Sequence, residues 1–269
     1  MSKLIFRLLI FLILITIGII TYLSFVGIET KRFNKQIEKQ IKNIDSDLQI
    51  NLNKIKIVLN PIEFKIKAKT IGTSLKIRDK IIEIEGINGE ISINSLLNKK
   101  FSITNLEIST KTIEIKKLIS FARTLKNDPK LYILERIVKK GFIIADINLE
   151  FDTQGILKKN YNIKGIVKDG NLKILKKYEV NGLNFIFNIV DKNFKFEDIS
   201  LNLDTIPFSS NKILVKKIKK NFFIEGDIKN KKIKLSEEKI PLFIKRLSPN
   251  LNIESINFNT DNKFSFKVS

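Results

Sequence analysis

Hydrophobic and polar residues alternate along most of the chain after residue 47. The segment from Leu183 to Val190 is typical, because Leu183, Phe185, Phe187 and Ile189 occupy every second position. A period of two is characteristic of a half-buried strand, whose successive side chains point to opposite faces of a sheet. The pattern therefore predicts a mainly β fold of antiparallel strands over residues 48–269.

The form of the predicted sheet is less constrained than its strands. Strands with one apolar and one polar face build a closed barrel, a sandwich or a curved open sheet, and periodicity alone does not choose among these. Gly72, Gly86 and Gly89 are expected to separate short early strands from one another. The strongest hairpin-turn signals are the pairs Asn88-Gly89, Asp169-Gly170 and Asn181-Gly182.

Helical spacing replaces the alternation just before the predicted sheet begins. Phe33, Ile37, Ile41 and Ile44 recur at intervals of four, four and three, with charged and amide residues between them. This spacing predicts an amphipathic helix within residues 29–47, and it favours a helix that closes the end of the core over a separate interfacial membrane helix.

Two further helical segments are predicted inside the β-rich region. A helical insert at about residues 116–140 consists of two short helices, divided at Asn127-Asp128-Pro129 and ended by Gly141 as a C-cap. A third helix is expected from Ser236 to about Leu247, after which alternation resumes and continues to Val268.

The chain begins with a long uncharged segment. Leu8 to Ile28 contains no charged residue, and at about 1.5 Å per residue it spans roughly 31 Å, close to the thickness of a hydrocarbon core. A cleaved signal peptide would have a shorter apolar region and a small-x-small cleavage site, which Tyr22 to Gly27 fit poorly. Residues 1–28 are therefore predicted to be a short N-terminal stub and a single-pass transmembrane anchor; that the stub is cytoplasmic is implied only by the family resemblance given below.

Charge does not decide on which side of the membrane the domain lies. Lys and Arg are slightly more frequent just after the apolar segment, which alone favours a cytoplasmic domain. That rule weakens when a long domain follows the helix, because long segments cross largely regardless of charge.

The basic composition does not predict nucleic-acid binding. The formal charge is +21, but the basic residues are spread along the chain and are nearly all Lys. Arg makes the bidentate phosphate contacts typical of nucleic-acid sites, and its six positions are not clustered: Arg7, Arg32, Arg78, Arg123, Arg136 and Arg246. We therefore expect no nucleic-acid partner.

Residue types also exclude several kinds of catalytic site. With no Cys and no His, the chain has no disulfide framework, no Cys or His zinc site, no cysteine nucleophile and no His-based triad. The remaining candidates are two groups of carboxylates, which the strand pattern assigns to solvent-facing positions: Asp146, Glu150 and Asp152, and Glu197, Asp198 and Asp204. No enzyme activity, catalytic residue, metal site or cofactor is expected.

The most distinctive surface is a concentration of aliphatic and Phe side chains on one predicted sheet face. One interpretation is an ordinary sandwich core; the other is an apolar groove for acyl chains, since a lipid crossing water requires an apolar lining. The predicted lining residues are Leu183, Phe185, Phe187, Ile189, Ile199, Leu201 and Leu203.

The last strand is still alternating at Val268, and a strand at a sheet edge offers unpaired backbone groups. A protein partner or self-association at this C-terminal strand is therefore also expected.

The order of these parts resembles the AsmA-like family, inner-membrane-anchored periplasmic proteins of Gram-negative bacteria of the TamB and YhdP type. The segments that resemble the opening strands of that family are Ile50–Pro61, Ile91–Leu97 and Ile103–Ile108; Ala145–Gly155 and Tyr161–Lys168 resemble its later repeats. The resemblance implies a curved, β-taco-like sheet with an open groove. It also implies a single-pass inner-membrane protein with a periplasmic C-terminal domain that acts on membrane lipids, and it carries no catalytic residues.

Two functions are consistent with these features. The first is non-enzymatic phospholipid transport or outer-membrane lipid homeostasis through the apolar groove. The second is a structural or assembly role for outer-membrane proteins by β-strand addition. Family members are commonly longer than this chain, which favours a partner protein or self-assembly for bridging two membranes.

Overall fold

The structure is a computed structural model of the 269-residue chain. It describes residues 2–31, 34–35, 37–38, 42, 45–93, 103–152, 156, 158, 161–174, 178–204, 206–219, 221–236 and 255–268.

The N-terminal segment is a single helix, α1 (Ser2–Phe25). Its side chains from Lys3 to Phe25 have a mean hydropathy of 2.8 and none of that span is buried in the fold. The helix is therefore long and apolar enough to cross a membrane or to serve as a signal sequence.

Strands dominate the rest of the described chain. The early strands are β1 (Ile28–Thr30), β2 (Leu48–Asn51), β3 (Ile55–Asn60), β4 (Lys65–Ile77), β5 (Lys80–Ser92), β6 (Ile103–Thr110) and β7 (Ile113–Glu114). Two helices follow, α2 (Ile115–Leu125) and α3 (Pro129–Ile137). The later strands are β8 (Val138–Glu150), β9 (Asn162–Ile174), β10 (Tyr178–Val190), β11 (Asn193–Leu203), β12 (Ile206–Ile218), β13 (Asn221–Ser236) and β14 (Ser255–Val268).

The strands form one open antiparallel sheet. Its hydrogen-bonded order is β1-β3-β4-β5-β6-β8-β9-β10-β11-β12-β13-β14, with β2 beside β4 and β7 beside β8. Strands make up 63% of the residues that the structure describes. The predicted fold class is confirmed: a mainly β protein with a long apolar N-terminal helix, an open antiparallel sheet and few helices.

The chain divides into two compact units. The first contains residues 1–113, 120–127 and 145–162, and the second contains residues 114–119, 128–144 and 163–269. In the first unit the most deeply buried aliphatic side chains are Ile55 and Ile77, each 1% exposed. In the second unit the buried apolar side chains include Val138, Val167, Val180 and Phe187.

Helix α1 leads into the sheet of the first unit almost without a linker. Only Val26 and Gly27 separate α1 from β1, and β1 pairs at once with β3, Ile28 lying opposite Ile57. Gly27 has a φ of +74°, and a Cβ atom at this position would collide with the Ile57 carbonyl oxygen. Glycine therefore allows the close approach of the helix end to β3.

The predicted breaks at Gly72, Gly86 and Gly89 are wrong, because these residues lie inside the 13-residue strands β4 and β5. Gly72, with a φ of +67°, interrupts the extended backbone locally without a chain reversal, and β4 keeps the same register with β5 on both sides of it. Thr70 and Thr73 are both buried, and their hydroxyl groups lie 2.9 Å apart although the residues are three positions apart. The positive φ at Gly72 therefore accompanies a one-position shift in the alternation of buried residues along β4.

The predicted hairpin turns are also wrong, since Asn88-Gly89, Asp169-Gly170 and Asn181-Gly182 all lie within strands. Two-residue connections link β4 to β5, β10 to β11, β11 to β12 and β12 to β13. The first residue of each has a positive φ and is not glycine: Arg78, Asp191, Asp204 and Lys219. Sequence rules that look for glycine at such turns therefore pass over all four.

The predicted helical insert is confirmed by α2 and α3. The Asp128 carboxylate accepts the Lys130 N–H at 2.9 Å and Pro129 begins α3, as expected for a helix start at this point. The predicted C-cap at Gly141 is wrong, because α3 ends at Ile137 and Gly141 is the fourth residue of β8. A Cβ atom at Gly141 would lie 2.9 Å from the Gly170 Cα, so this glycine permits close strand packing.

Two other predicted helices fall largely outside the described residues. In the first, the described residues Asn34, Lys35, Ile37, Glu38 and Lys42 are helical. In the second, only residue 236 is described, and it is the last residue of β13.

Candidate functional site

The seven predicted lining residues share one face of the sheet in the second unit. Phe187 lies opposite Phe196 in the β10–β11 register, and Leu201 lies opposite Phe208 in the β11–β12 register. We call this surface the apolar face and define it by Leu183, Phe185, Phe187 and Ile189 of β10, Phe194, Phe196, Ile199, Leu201 and Leu203 of β11, and Ile206, Phe208, Ile213 and Val215 of β12.

Strand bulges keep the apolar face continuous where the spacing of hydrophobic residues changes from two to three. On β11, Phe196 and Ile199 are three positions apart, and Asp198 between them has a φ of +52°. The side chains of Asn184 and Ser200 meet on the polar face, which assigns their neighbours Phe185 and Leu201 to the apolar face.

The carboxylate of Asp227 stabilises the bulge on β12. It accepts the backbone N–H groups of Asn211 and Lys212, both at 3.1 Å. The hydrogen bond from Asn211 lowers the pKa of Asp227, and that from Lys212 lowers it further.

Phe187 differs from the other six predicted lining residues because it is buried, with 6% of its surface exposed. Its ring lies over Gly165 of β9, where a Cβ atom would be 2.7 Å from the ring. The Phe185 ring packs edge-on against the Phe196 ring, with centroids 5.6 Å apart. Phe187 therefore lies beneath the accessible part of the apolar face, and its packing on Gly165 joins β10 to β9.

The other predicted lining residues are only half-buried. These are Leu183, Phe185, Ile189, Ile199, Leu201 and Leu203. The inner side chains of a sandwich core are normally almost fully enclosed by the facing layer. Within the described residues of the second unit, the apolar face lacks such enclosure and remains accessible.

The opposite face of the same strands is mainly polar. Lys195 and Glu197 form an ion pair at 2.7 Å on β11, and Asn184 and Ser200 lie beside them. Exposed Ile186 is an exception on this side. The sheet of the second unit is thus amphipathic, and its apolar side is the candidate functional surface.

The candidate carboxylates do not converge. Asp146 and Glu150 are four residues apart on β8, a separation of about 13 Å along a strand, and Glu150 pairs with Lys158 at 3.6 Å. Asp198 and Asp204 adopt positive φ angles at a bulge and a turn. Among the residues the structure describes, no group of three acidic side chains could hold a metal ion.

The outer edge of the sheet is formed by β14. Within the described chain, β14 pairs with β13 alone, and Phe266 and Val268 near its end are exposed. Among the described strands, none pairs with its second backbone edge, and such an edge can accept a further strand.

Comparison with protein-family models, curated proteins and solved structures gives no match for this chain. The function of the protein is therefore inferred from the surfaces described above.

Proposed function

We propose that the protein is a membrane-anchored, non-enzymatic lipid-handling protein whose apolar face binds acyl chains. The observation that carries this proposal is the half-buried state of aliphatic and Phe side chains across β10, β11 and β12. Helix α1 supports the membrane location, since it is long and apolar enough to cross a bilayer. In this proposal α1 spans the inner membrane and the sheet lies in the periplasm, as the resemblance to the AsmA-like family implies.

The energetics favour transient binding. Transferring an acyl chain of roughly fifteen methylenes out of water gains about 12 kcal/mol at about 0.8 kcal/mol per methylene. A single sheet contacts a bound acyl chain from one side only, so about half of that transfer free energy is gained. Association entropy opposes it by several kcal/mol. Lipid on the apolar face would therefore exchange readily, as a transport surface requires.

The decisive experiment places a photo-crosslinking benzophenone side chain at Leu201 and, in a second variant, at Asn202. These neighbours lie on opposite faces of β11, so both variants have the same anchor and nearly the same position. After irradiation of the full chain in membranes, we expect a phospholipid adduct by mass spectrometry at position 201 and none at position 202. Equal adducts at both positions, or none at position 201, would contradict the proposal.

A second candidate is an assembly function through strand addition, and the exposed β14 edge is the observation that favours it. In this second proposal, a second copy of the chain pairs with this edge in the antiparallel register centred on Phe264. In that register Asp261 of each copy faces Lys267 of the other, and Lys263 faces Ser265.

The chain has no cysteine, so single cysteines test this register directly. We expect mixed Lys263→Cys and Ser265→Cys chains to form a disulfide-linked dimer under mild oxidation. Mixed Lys263→Cys and Asp261→Cys chains are the matched control, since these positions are four residues out of register and should give no disulfide-linked dimer. If neither mixture cross-links, the edge does not pair with a second copy.

A further inference from the structure

The turn between β3 and β4 lies on the same side of the first unit as the end of α1. Strand β1 leads away from α1, and β3 runs antiparallel to it, from Ile55 opposite Thr30 to Ile57 opposite Ile28. Beyond Ile57, β3 therefore returns toward the helix. Helix α1 and β3 are in contact, and a Cβ atom at Gly27 would lie 3.0 Å from the Val58 side chain.

The chain continues in this direction before it reverses. Strand β3 ends at Asn60 and β4 begins at Lys65, so the turn consists of residues 61–64. At about 3.3 Å per residue, the end of β3 at Asn60 lies roughly 10 Å past Ile57, and the turn lies beyond it. The turn is thus directed along the path from which α1 enters the sheet.

The side chains at this turn are unusually apolar and exposed. Ile62 is 93% exposed, the largest value among the exposed large hydrophobic residues of the described chain, and Phe64 is 62% exposed. Phe64 also adopts a φ of +51°, a conformation that a bulky L residue rarely takes. If this turn were surrounded by water alone, the exposure of these two apolar side chains would bring no gain in free energy.

The turn is nevertheless well ordered by polar contacts. The Asn60 side-chain oxygen accepts the Glu63 N–H at 3.2 Å, and the Phe64 carbonyl accepts the Ile93 N–H at 2.9 Å. The Glu63 carboxylate is paired with Lys65 at 3.2 Å, and Lys65 also contacts Glu90 at 3.1 Å. Because the charge of Glu63 is paired, it opposes approach to an apolar phase less than a lone carboxylate would.

We propose that the β3–β4 turn is a second membrane contact, which inserts Ile62 and Phe64 into the interfacial region of the bilayer that α1 crosses. The occupant is lipid, because the turn continues the apolar surface of α1: Phe25 and Val26 at the helix end are exposed as well. Two contacts on one body fix the rotation of the first unit about the helix axis, which a single helix does not do. The inference rests on the membrane location in the proposed function, but not on lipid binding by the apolar face.

Tryptophan fluorescence tests this contact cleanly, since the chain contains no Trp. Full-length Ile62→Trp, Ile81→Trp and Leu12→Trp variants are reconstituted in phosphatidylcholine vesicles with and without brominated acyl chains. Ile81 is the matched control: it is 55% exposed and follows the β4–β5 turn, at the opposite end of β4. Leu12, in the middle of α1, reports whether the helix is in the bilayer.

We expect a blue-shifted emission and strong bromine quenching at positions 12 and 62, and neither at position 81. If the Trp at position 12 is quenched but the Trp at position 62 is no more quenched or blue-shifted than that at position 81, the inference is overturned, whereas the membrane anchor still stands. A blue shift at 62 without quenching would overturn it as well, because it would show burial by protein. No quenching at 12 would remove the membrane location itself, whereas the Leu201 adduct reports separately on the apolar face.

Discussion

Replacing Phe187 with aspartate is expected to lower the free energy of unfolding by about 4 kcal/mol or more. The Phe187 ring is 6% exposed and fills the space above Gly165. Aspartate would leave a cavity there and place a carboxylate in a buried position. Urea unfolding of the full chain in detergent micelles, followed by far-ultraviolet circular dichroism, measures the effect.

The matched control for this substitution is Leu201→Asp. Leu201 lies on the same apolar face but is half-buried, so water can reach a carboxylate at this position. We expect a loss of about 1 kcal/mol, smaller than at position 187. Equal losses at the two positions would show that Phe187 has no special role in joining β9 to β10, and would indicate that the whole face is enclosed.

The Gly165→Ala variant is expected to lose about 3 kcal/mol of stability, at the upper end of the usual range for overpacking. A Cβ atom at this position would collide with the backbone oxygen of Ile144 and lie 2.7 Å from the Phe187 ring. The side-chain contact can relax by rotation of Phe187, but the contact with the backbone requires movement of the strand itself. The same urea titration gives the magnitude.

Gly89→Ala is the control for the alanine substitution. Gly89 also lies inside a strand, but no atom lies within 4 Å of the Cβ position there. Because alanine restricts the unfolded chain, we expect no loss, or a gain of up to about 1 kcal/mol. If Gly165→Ala were as well tolerated as Gly89→Ala, the packing of Phe187 on Gly165 would not contribute to stability as described.

The alternation of residue types was sufficient to predict the strands and to group the seven lining residues on one face. The extent to which each side chain is buried was not predictable from the alternation. Period two assigns Phe185 and Phe187 to the same side equally, yet only Phe187 is buried, because β9 presents Gly165 to its ring. A glycine inside an apolar strand was the available signal for close approach by a neighbour.

The positions of bulges and turns were the main failure. Strand breaks and hairpin turns were predicted at glycine residues. In the fold, however, Gly72 and Gly182 have positive φ angles and lie inside long strands. Real reversals occur at Arg78 and Asp191, where the two flanking strands determine the turn. Tertiary pairing thus overrides local turn preference, and an isolated segment does not contain that information.

The β3–β4 turn shows a second limit of periodicity. Phe64, Ile66 and Ala68 alternate with polar residues, so a period of two by itself assigns Phe64 to the same strand face as Ile66 and Ala68. In the fold Phe64 precedes β4 and is exposed. The pair Asn60-Pro61 was a turn signal that could have separated Phe64 from the strand.

The glycine joint after α1 has a mechanical consequence. A bilayer-spanning α1 would tilt wherever its apolar segment is longer than the hydrocarbon core is thick. Because Gly27 lies directly against β3, that tilt would pass into the sheet edge and not be absorbed by a flexible linker. A thinner bilayer would therefore tilt the strands of the first unit further. Their orientation relative to the bilayer would thus vary with membrane thickness.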